Sequence, residues 1–267
     1  MIRVVSWNMG MASQSNLRRG RHEQAWHYLL GLGPDLALLQ ETLPPTWVRT
    51  EGTLIHGPFR QWGSAVFSPR FPLDRFPLPA EHHLRSLGSY LATAVASLPD
   101  GTNGIVASVH AVARDAKASQ LGTLDPAEAS RPSIGRPRIN DVVFTGLRGL
   151  VAGRPFLVAG DWNTARAFDD VYPGSAGQEF FARAHQSGWF DCVWEKHGTE
   201  LRTWFRDGNR PYQLDHMFCD PALGGRLQDV WVADEAAERL GLSDHAPLIV
   251  DFDIQPISMR NYSTDMG

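Results

Sequence analysis

An acid and an imidazole stand side by side near the C-terminus, directly before an apolar run that has the pattern of a buried strand. The segment reads LSDHAP at 242–247 and continues into the run at 248–250. Imidazole is the side chain whose unperturbed pKa lies closest to neutral pH, so His245 could transfer a proton or contact a phosphoryl oxygen. Such pairs also occur in ordinary loops, so the meaning of Asp244 and His245 depends on the polar groups that accompany them.

Four other apolar runs also end in polar side chains. Runs of this length are typical of buried strands, and a carboxylate at a strand end can point into a cleft at the edge of a sheet. The polar residues are Asn8 after the run at 4–7, Glu41 after 36–40, Asp161 and Asn163 after 156–160, and Asp215 after 212–214. One such residue alone would be read as a solvated group or a helix cap, but several together predict a shared site.

These segments are similar to the motifs of the endonuclease/exonuclease/phosphatase superfamily. They read SWNMG at 6–10, LLQET at 38–42, GDWN at 160–163, QLDHMF at 213–218 and LSDHAPL at 242–248, in the order of the family. The resemblance implies an α+β fold of the DNase I type: a four-layer α-β-β-α sandwich of two packed mixed sheets flanked by helices. It places the site at one edge of the sheets and implies hydrolysis of a phosphate ester.

The residues expected to bind metal offer only oxygen atoms. By resemblance Glu41 is the principal ligand, Asn8 is a second ligand or a hydrogen-bond partner of the others, and Asp244 is a further carboxylate on the metal side. Oxygen donors suit a hard cation, and the sequence has no clustered cysteine and histidine pattern of a zinc site. We therefore expect Mg²⁺ or Mn²⁺, with the number of ions left open.

The resemblance implies catalytic roles for five residues. Asp161 and Asn163 would position or deprotonate the attacking water and bind phosphate, and Asp215 would orient His245 for proton transfer. His110, which ends the apolar run at 104–109, resembles the second catalytic histidine of the deoxyribonuclease and sphingomyelinase branches. The sequence leaves open whether Asp161 or His245 takes the proton from water.

The composition is that of a single soluble domain. The 267 residues are 43% hydrophobic, and we expect one domain over 1–253 followed by a tail at 254–267. No signal peptide or membrane-spanning run is visible, so a cytoplasmic location is expected. Cys192 and Cys219 form no disulfide framework and are expected to be buried free thiols.

The charge leaves the substrate open. A net charge of −4 lacks the basic excess expected of a dedicated duplex-binding protein. The cationic residues are 23 arginines and two lysines, and arginine can bind phosphate in a bidentate manner, although a GC-rich genome produces the same bias. Three arginine clusters stand out: Arg18, Arg19 and Arg21; Arg131, Arg136 and Arg138; and Arg202, Arg206 and Arg210.

Hydrophobic periodicity predicts many strands and few helices. The predicted strands are 2–7, 36–40, 53–56, 64–68, 89–98, 103–110, 156–160, 190–194, 202–206, 212–218, 228–233 and 247–253, and the predicted helices are 17–32, 139–151 and 178–186. Because neighbouring residues in a strand alternate sides, His216 is expected to point away from the side chain of Asp215. Trp162 is expected to pack behind the site.

The segment 111–138 directly follows His110 and shows no clear period. Loops of this length without regular structure are usually functional or disordered. We predict that Arg114, Arg131, Arg136 and Arg138 close over the cleft and bind a phosphate beside the scissile one. The alternative is an insertion that does not contact the substrate.

Three functions are compatible with these residues. The first is a divalent-metal-dependent nuclease-type phosphodiesterase that acts on DNA or RNA. The second is a phosphatase or phosphodiesterase that acts on a small phosphorylated metabolite or a lipid headgroup. The third is a non-catalytic phosphate-binding module, against which the intact set of acids and histidines argues. Fold and motif together do not fix the substrate.

Overall fold

The computed structural model describes residues 1–12, 20–59, 62–88, 90–112, 114–172, 174–206 and 212–256. These residues form two six-stranded mixed sheets. The first has the order β11-β12-β1-β2-β4-β3, with strands β1 Ile2–Asn8, β2 Leu36–Thr42, β3 Thr53–Phe59, β4 Trp62–Ser68, β11 Leu227–Val232 and β12 Leu248–Phe252. The second has the order β5-β6-β7-β8-β10-β9, with strands β5 Leu73–Arg75, β6 Leu91–Ser97, β7 Asn103–His110, β8 Phe156–Asp161, β9 Phe190–Asp191 and β10 Asp215–Cys219.

The helices lie between the strands along the chain. They are α1 Arg21–Gly31, α2 Val48–Glu51, α3 Ala118–Leu121, α4 Ile139–Val151, α5 Phe168–Val171, α6 Gly177–Gln186, α7 Cys192–His197, α8 Pro221–Gly224 and α9 Glu235–Glu238, with a 3-10 turn at His83–Leu87. In the described part of the chain, no helix is long and apolar enough to cross a membrane.

Alternation along the strands produces the layers. In β1, Val4 faces the other sheet and packs with Val106 and Ala159, whereas Val5 and Trp7 face outward. Trp26 and Leu29 of α1 pack on that outer face, and α4 and α6 cover the outer face of the second sheet. The result is the predicted α-β-β-α sandwich, with one apolar core between the sheets and one outside each sheet.

Each sheet contains one parallel strand pair near its centre. These pairs are β1 with β2 and β7 with β8, so their four carboxyl ends lie at one edge of the sandwich. Strand β10 is antiparallel to β8 and β12 is antiparallel to β1, so both begin at that same edge. Polar residues that end some strands and precede others therefore meet there.

Several predicted elements need correction. The segment 190–194 is a strand only at Phe190–Asp191, because the Asp191 side chain accepts a hydrogen bond from the backbone of Trp194 at 3.2 Å and starts α7. The segment 202–206 is not a strand and makes only a bridge from Trp204 to His245. The predicted helix at 139–151 is confirmed, whereas the first part of the helix predicted at 17–32 lies outside the described residues.

The two cysteines are buried free thiols, as the sequence predicted. Cys192 and Cys219 are buried and unbridged, with their sulfur atoms 3.8 Å apart.

The 111–138 segment contains α3 and two isolated bridges, from Asp115 to Arg138 and from Ser130 to Pro137. Ala111 and Ala129 of this segment are buried in the apolar core outside the second sheet.

Candidate active site

Eight polar residues predicted from the sequence meet at the edge where the strands end. Seven of them line one open cleft of about 1100 Å³: Asn8, Glu41, His110, Asp161, Asn163, Asp244 and His245. The eighth, Asp215, is fully buried behind His245. Strand register places three of these residues in a row, with His110 beside Asp161 on one side and Asp215 beside Asp161 on the other.

His245 and Asp215 form a buried acid–imidazole pair. Nδ1 of His245 lies 2.7 Å from Oδ2 of Asp215, and Nε2 of His245 lies 3.9 Å from Oδ2 of Asp161. The hydrogen bond to Asp215 fixes the plane of the imidazole. His245 therefore presents Nε2 to the cleft and to Asp161.

Three residues that the sequence reasoning missed hold this pair in place. The Trp7 indole donates a hydrogen bond to the backbone carbonyl of His245 at 2.9 Å. The Ser243 hydroxyl donates to the Asn8 carbonyl at 2.7 Å and accepts from the His245 amide at 3.1 Å. The hydroxyl of Thr203 accepts from the amide of Asp215 at 3.1 Å. Trp7 lies within the SWNMG motif and Ser243 within the LSDHAPL motif, so the motifs could have identified these two residues. Thr203 lies outside the motifs, and no sequence pattern indicated it.

Asp161 is oriented through both carboxylate oxygens. Its Oδ2 accepts from the Asn8 side chain at 3.0 Å, and its Oδ1 accepts from the backbone of Asn163 at 2.9 Å. Asn163 has a φ of 47°, in the left-handed region that asparagine tolerates better than most residues. This turn directs Asp161 and Asn163 to the cleft, while Trp162 between them packs against Phe180, as expected.

Glu41 also has an unusual backbone. Its φ is 44°, and the pairing of β2 with β4 shifts register between Leu39 and Thr42. Residues in this region cost roughly 1–3 kcal/mol and persist where the surroundings hold them. Here the Glu41 carbonyl accepts from Met11 at 2.9 Å, and Oε2 accepts from Ala12 at 3.2 Å. The irregularity turns the Glu41 carboxylate into the cleft.

His110 lies on the other side of Glu41. Its Nε2 is 3.3 Å from Oε1 of Glu41 and 3.8 Å from Oδ2 of Asp161. The rings of Tyr90 and Trp62 lie against the imidazole, with centroid distances of 5.5 and 6.3 Å. The structure therefore places His110 within the acidic cluster, as the sequence predicted.

Burial and charge shift the protonation equilibria of the cluster. Burial lowers the pKa of His245, but the negative charges of Asp215 and Asp161 outweigh it and raise that pKa to about 10. Burial raises the pKa of Asp161 to about 6, although the charge of His245 opposes the shift. Burial also raises the pKa of Glu41 and lowers that of His110. His245 is thus held in its charged form by its carboxylate neighbours.

The donor set fits a hard divalent cation. Asn8, Glu41 and Asp244 line the same cleft, and the negative charge of Asp244 adds to the burial that raises the pKa of Glu41. A cation between these oxygen atoms would relieve the repulsion between the two carboxylates. Asp161, Asp215 and His245 also bring one ligand atom each within 4.8 Å of one another, but Nδ1 of His245 is already hydrogen-bonded to Asp215.

Aromatic side chains form one side of the cleft. We call Phe168, Tyr172, Trp204 and Tyr212 the aromatic wall; all four line the cleft. Phe168 contacts Tyr212 with a centroid distance of 4.9 Å, and Trp204 stacks on Tyr212 at 6.3 Å. Their positions in two distant segments gave no motif that sequence reasoning could recognise.

The prediction for the 111–138 arginines is wrong for Arg131. That side chain is fully buried and paired with Asp141 at 3.0 Å, so it cannot close over the cleft. Arg136 instead pairs with Asp115 at 3.1 Å, and neither Arg114 nor Arg138 is among the described residues that line the cleft.

Two members of the other arginine clusters do reach the cleft, namely Arg21 and Arg206. Nη1 of Arg206 lies 4.0 Å from Oδ2 of Asp244. Arg18, Arg19 and Arg210 lie outside the described residues.

His216 faces away from the cleft, as expected: its Nε2 is 2.9 Å from the Thr164 carbonyl.

Comparison with known protein families identifies the family of the chain. A model of the endonuclease/exonuclease/phosphatase family matches residues 5–245. The chain belongs to this family. The match includes all eight residues of the site, and members of the family are phosphoesterase hydrolases.

Solved structures are similar over nearly the whole family domain. The 3′ phosphatase NExo from Neisseria, bound to a product DNA hairpin, has a TM-score of 0.68 at 19% identity, over 95% of this chain and 100% of that one. An AP endonuclease from Archaeoglobus fulgidus gives 0.67 at 16% identity, over 95% and 100%. Humanized TDP2 from D. rerio gives 0.63 at 17% identity, over 95% and 99%. No curated protein sequence matches the chain significantly.

Proposed function

We propose that this chain is a divalent-metal-dependent phosphodiesterase of the nuclease type, which hydrolyses a P–O bond in nucleic acid. The observation that carries the proposal is the pairing of His245 with Asp215 at 2.7 Å, with Nε2 of His245 facing Asp161 across 3.9 Å in one cleft. An oriented imidazole beside an oriented carboxylate is the arrangement that proton transfer to and from a phosphate ester requires.

In this proposal Asp161 takes the proton from water. Two hydrogen bonds orient its carboxylate, and Nε2 of His245 faces it across 3.9 Å. The water oxygen forms a bond to phosphorus, its proton passes to Asp161, and the opposite P–O bond breaks. His245 stabilises the negative charge that develops on the phosphoryl oxygens. The departing oxygen takes a proton from solvent water as the bond breaks and leaves as an alcohol, and Asp161 returns its proton to solvent.

Glu41, Asn8 and Asp244 would hold the divalent cation. When bound, such a cation polarises a phosphoryl oxygen and stabilises a leaving oxyanion. His110 lies 3.3 Å from Glu41 and 3.8 Å from Asp161, and in this proposal it would contact the scissile phosphate. Asn163 would donate a hydrogen bond to the same phosphate from its side chain.

The surroundings of the cluster support a nucleic-acid substrate. A nucleotide chain offers a ring beside every phosphate and a second phosphate beside the scissile one. The aromatic wall supplies flat surfaces on which a sugar or a base can pack, and Arg21 and Arg206 lie at the same cleft to bind a neighbouring phosphate. A small inositol phosphate would leave the aromatic wall unused.

A substrate panel with Mg²⁺ or Mn²⁺ tests the proposal. It contains plasmid DNA, single-stranded DNA, RNA, nucleotides, inositol phosphates and a simple phosphodiester. We expect cleavage of at least one nucleic acid with a higher kcat/KM than for any inositol phosphate. Turnover of inositol phosphates alone would contradict the nuclease proposal while leaving phosphoester hydrolysis intact.

A terminal phosphomonoester on DNA is the second candidate substrate. The similar structure from Neisseria is described as a 3′ phosphatase, and the same cluster could remove a terminal phosphate. Oligonucleotides that carry a 3′ phosphate, assayed beside unphosphorylated ones, distinguish release of inorganic phosphate from cleavage of the chain.

A further inference from the structure

Arg131 is a fully buried cation that the mechanism above does not use. Its Nε donates to Asp141 at 3.1 Å and its Nη2 to the side chain of Asn140 at 3.3 Å. Nη1 donates to two backbone carbonyls, those of Ser175 at 3.1 Å and Ala176 at 2.9 Å. The guanidinium therefore joins three parts of the chain: its own loop, the start of α4, and the turn before α6.

The turn that Arg131 binds is strained. Ala176 has a φ of 51°, a left-handed conformation that costs an alanine free energy where glycine would adopt it readily. From the other side, the Asp169 carboxylate accepts hydrogen bonds from the Ser175 hydroxyl, the Gly177 amide at 2.6 Å and the Gln178 amide at 2.9 Å. Arg131 and Asp169 thus hold opposite faces of one turn.

This turn is continuous with the aromatic wall. Asp169 belongs to the same short helix as Phe168, and Tyr172 follows that helix. Within the aromatic wall, the ring centroids of Phe168 and Tyr212 are 4.9 Å apart. Asn140, one of the acceptors of Arg131, also donates to the backbone carbonyl of Trp162 at 3.4 Å. Through Asp169, the turn is therefore tied directly to the segment that carries Phe168 and Tyr172.

We propose that Arg131 is a positioning residue, which sets the place of Phe168 and Tyr172 and thereby the affinity for substrates with a ring beside the scissile phosphate. It acts from behind the wall and does not touch the substrate. The role in affinity rests on the proposed function, whereas the role in ordering the turn does not.

A buried ion pair that only stabilised the fold would behave differently. Arg183 also contacts Asp141, at 3.1 Å, so Asp141 keeps a cationic partner when Arg131 is changed. Loss of a merely structural contact would lower the melting temperature and leave KM unchanged well below that temperature. Loss of a positioning contact raises KM for the ring-bearing substrate while kcat stays near its wild-type value.

Arg131→Lys tests the role, because one ammonium group cannot reach all three segments at once. We expect KM for a nucleic-acid substrate to rise about tenfold with kcat changed less than about twofold. Ala176→Gly removes the backbone strain, so the double variant with Arg131→Lys should recover much of the KM. The matched control is Arg136→Lys in the same loop, an exposed side chain paired with Asp115, which should leave both constants unchanged.

Amide hydrogen exchange of the substrate-free protein gives a second readout. Arg131→Lys should raise exchange over 168–178 about tenfold and leave β8 and β10 unchanged. Asp169→Asn, which leaves the buried charges untouched, should do the same if Arg131→Lys fails to fold. Unchanged exchange over 168–178 in the folded variants would overturn the positioning role, even where the wild-type protein cleaves no nucleic acid. Faster exchange with an unchanged KM would overturn the link to affinity.

Discussion

The side chain of Gln40 donates a hydrogen bond to the hydroxyl of Ser108 across the core between the two sheets, at 2.9 Å. The Ser108 hydroxyl in turn donates to the carbonyl of Leu39 at 2.6 Å, and both Gln40 and Ser108 are fully buried. Gln40 directly precedes Glu41, and Ser108 lies two residues before His110. This polar bridge therefore fixes the distance between the carboxylate from one sheet and the imidazole from the other.

The first prediction concerns this bridge. Ser108→Ala removes both hydrogen bonds and leaves one N–H of the buried Gln40 amide without its partner, while the bond from that amide to the Leu38 carbonyl remains. The free energy of unfolding should therefore fall by about 1–3 kcal/mol. Because the bridge lies beside the site, kcat should fall as well. Urea denaturation and steady-state kinetics measure both. Ser97→Ala is the matched control: its hydroxyl donates to Asn103 at an exposed position far along the same strand pair. Equal kcat in the two variants would contradict the positioning of Glu41 against His110 by this bridge.

The sequence predicted the site better than its surroundings, for a physical reason. Asn8, Glu41 and Asp161 each follow a short apolar run that forms a strand. Parallel pairing brings the carboxyl ends of these strands to one edge of the sandwich, independently of the conformation of the connecting loops. The failure at 190–194 came from a local competition, in which the Asp191 side chain caps a helix where β-propensity favours a strand. The place of Arg131 depends on carbonyls more than 40 residues away along the chain, which no local pattern contains.

The second prediction concerns the metal. Glu41→Gln keeps the shape of the side chain and removes its charge, so the variant should fold while its affinity for Mg²⁺ or Mn²⁺ falls. Wild-type protein should gain thermal stability as either ion is added, by about 2.7 kcal/mol when the ion is present at 100 times its Kd. The variant should gain much less. Glu51→Gln, an exposed change in α2, is the control.

Activity provides the corresponding test of metal dependence. Excess chelator should abolish turnover, and added Mg²⁺ or Mn²⁺ should restore it. Full activity in chelator would refute the metal-dependent mechanism, and an equal response of both variants to the ion would exclude Glu41 as a ligand.

The third prediction concerns stability at acid pH. Burial lowers the pKa of His56, and the charges of Arg49 and Arg75 lower it further. Below the ordinary pKa of histidine, near 6.5, the unfolded chain therefore binds a proton at this position that the folded chain does not. This difference makes stability fall as the pH decreases through that value, until the pH reaches the lower pKa of the folded state.

His56→Gln removes this contribution and keeps a polar side chain at the half-buried position. The raised pKa values of Glu41 and Asp161 act in the opposite direction. Because these carboxyl groups bind protons more readily in the folded chain than in the unfolded chain, they increase the stability of the folded state as the pH falls. The difference between wild type and variant isolates His56. Urea denaturation at pH 7.5, 6.5 and 5.5 (values chosen to bracket about 6.5) should show a smaller loss for the variant, and parallel curves would exclude an effect of this histidine.

The fourth prediction concerns the catalytic pair and the base. A positioned acid, base or oxyanion partner contributes about 10²–10⁴-fold to the rate, so Asp161→Asn and His245→Ala should each lower kcat by that amount. Asp215→Asn should lower it less, because His245 remains in the cleft without its orienting partner. Since Asp215 acts through His245, the double variant with His245→Ala should be no slower than His245→Ala alone. His185→Gln, on the exposed side of α6, is the control. If Asp215→Asn slowed the His245→Ala enzyme by its full single-variant factor, Asp215 would have a role independent of the imidazole.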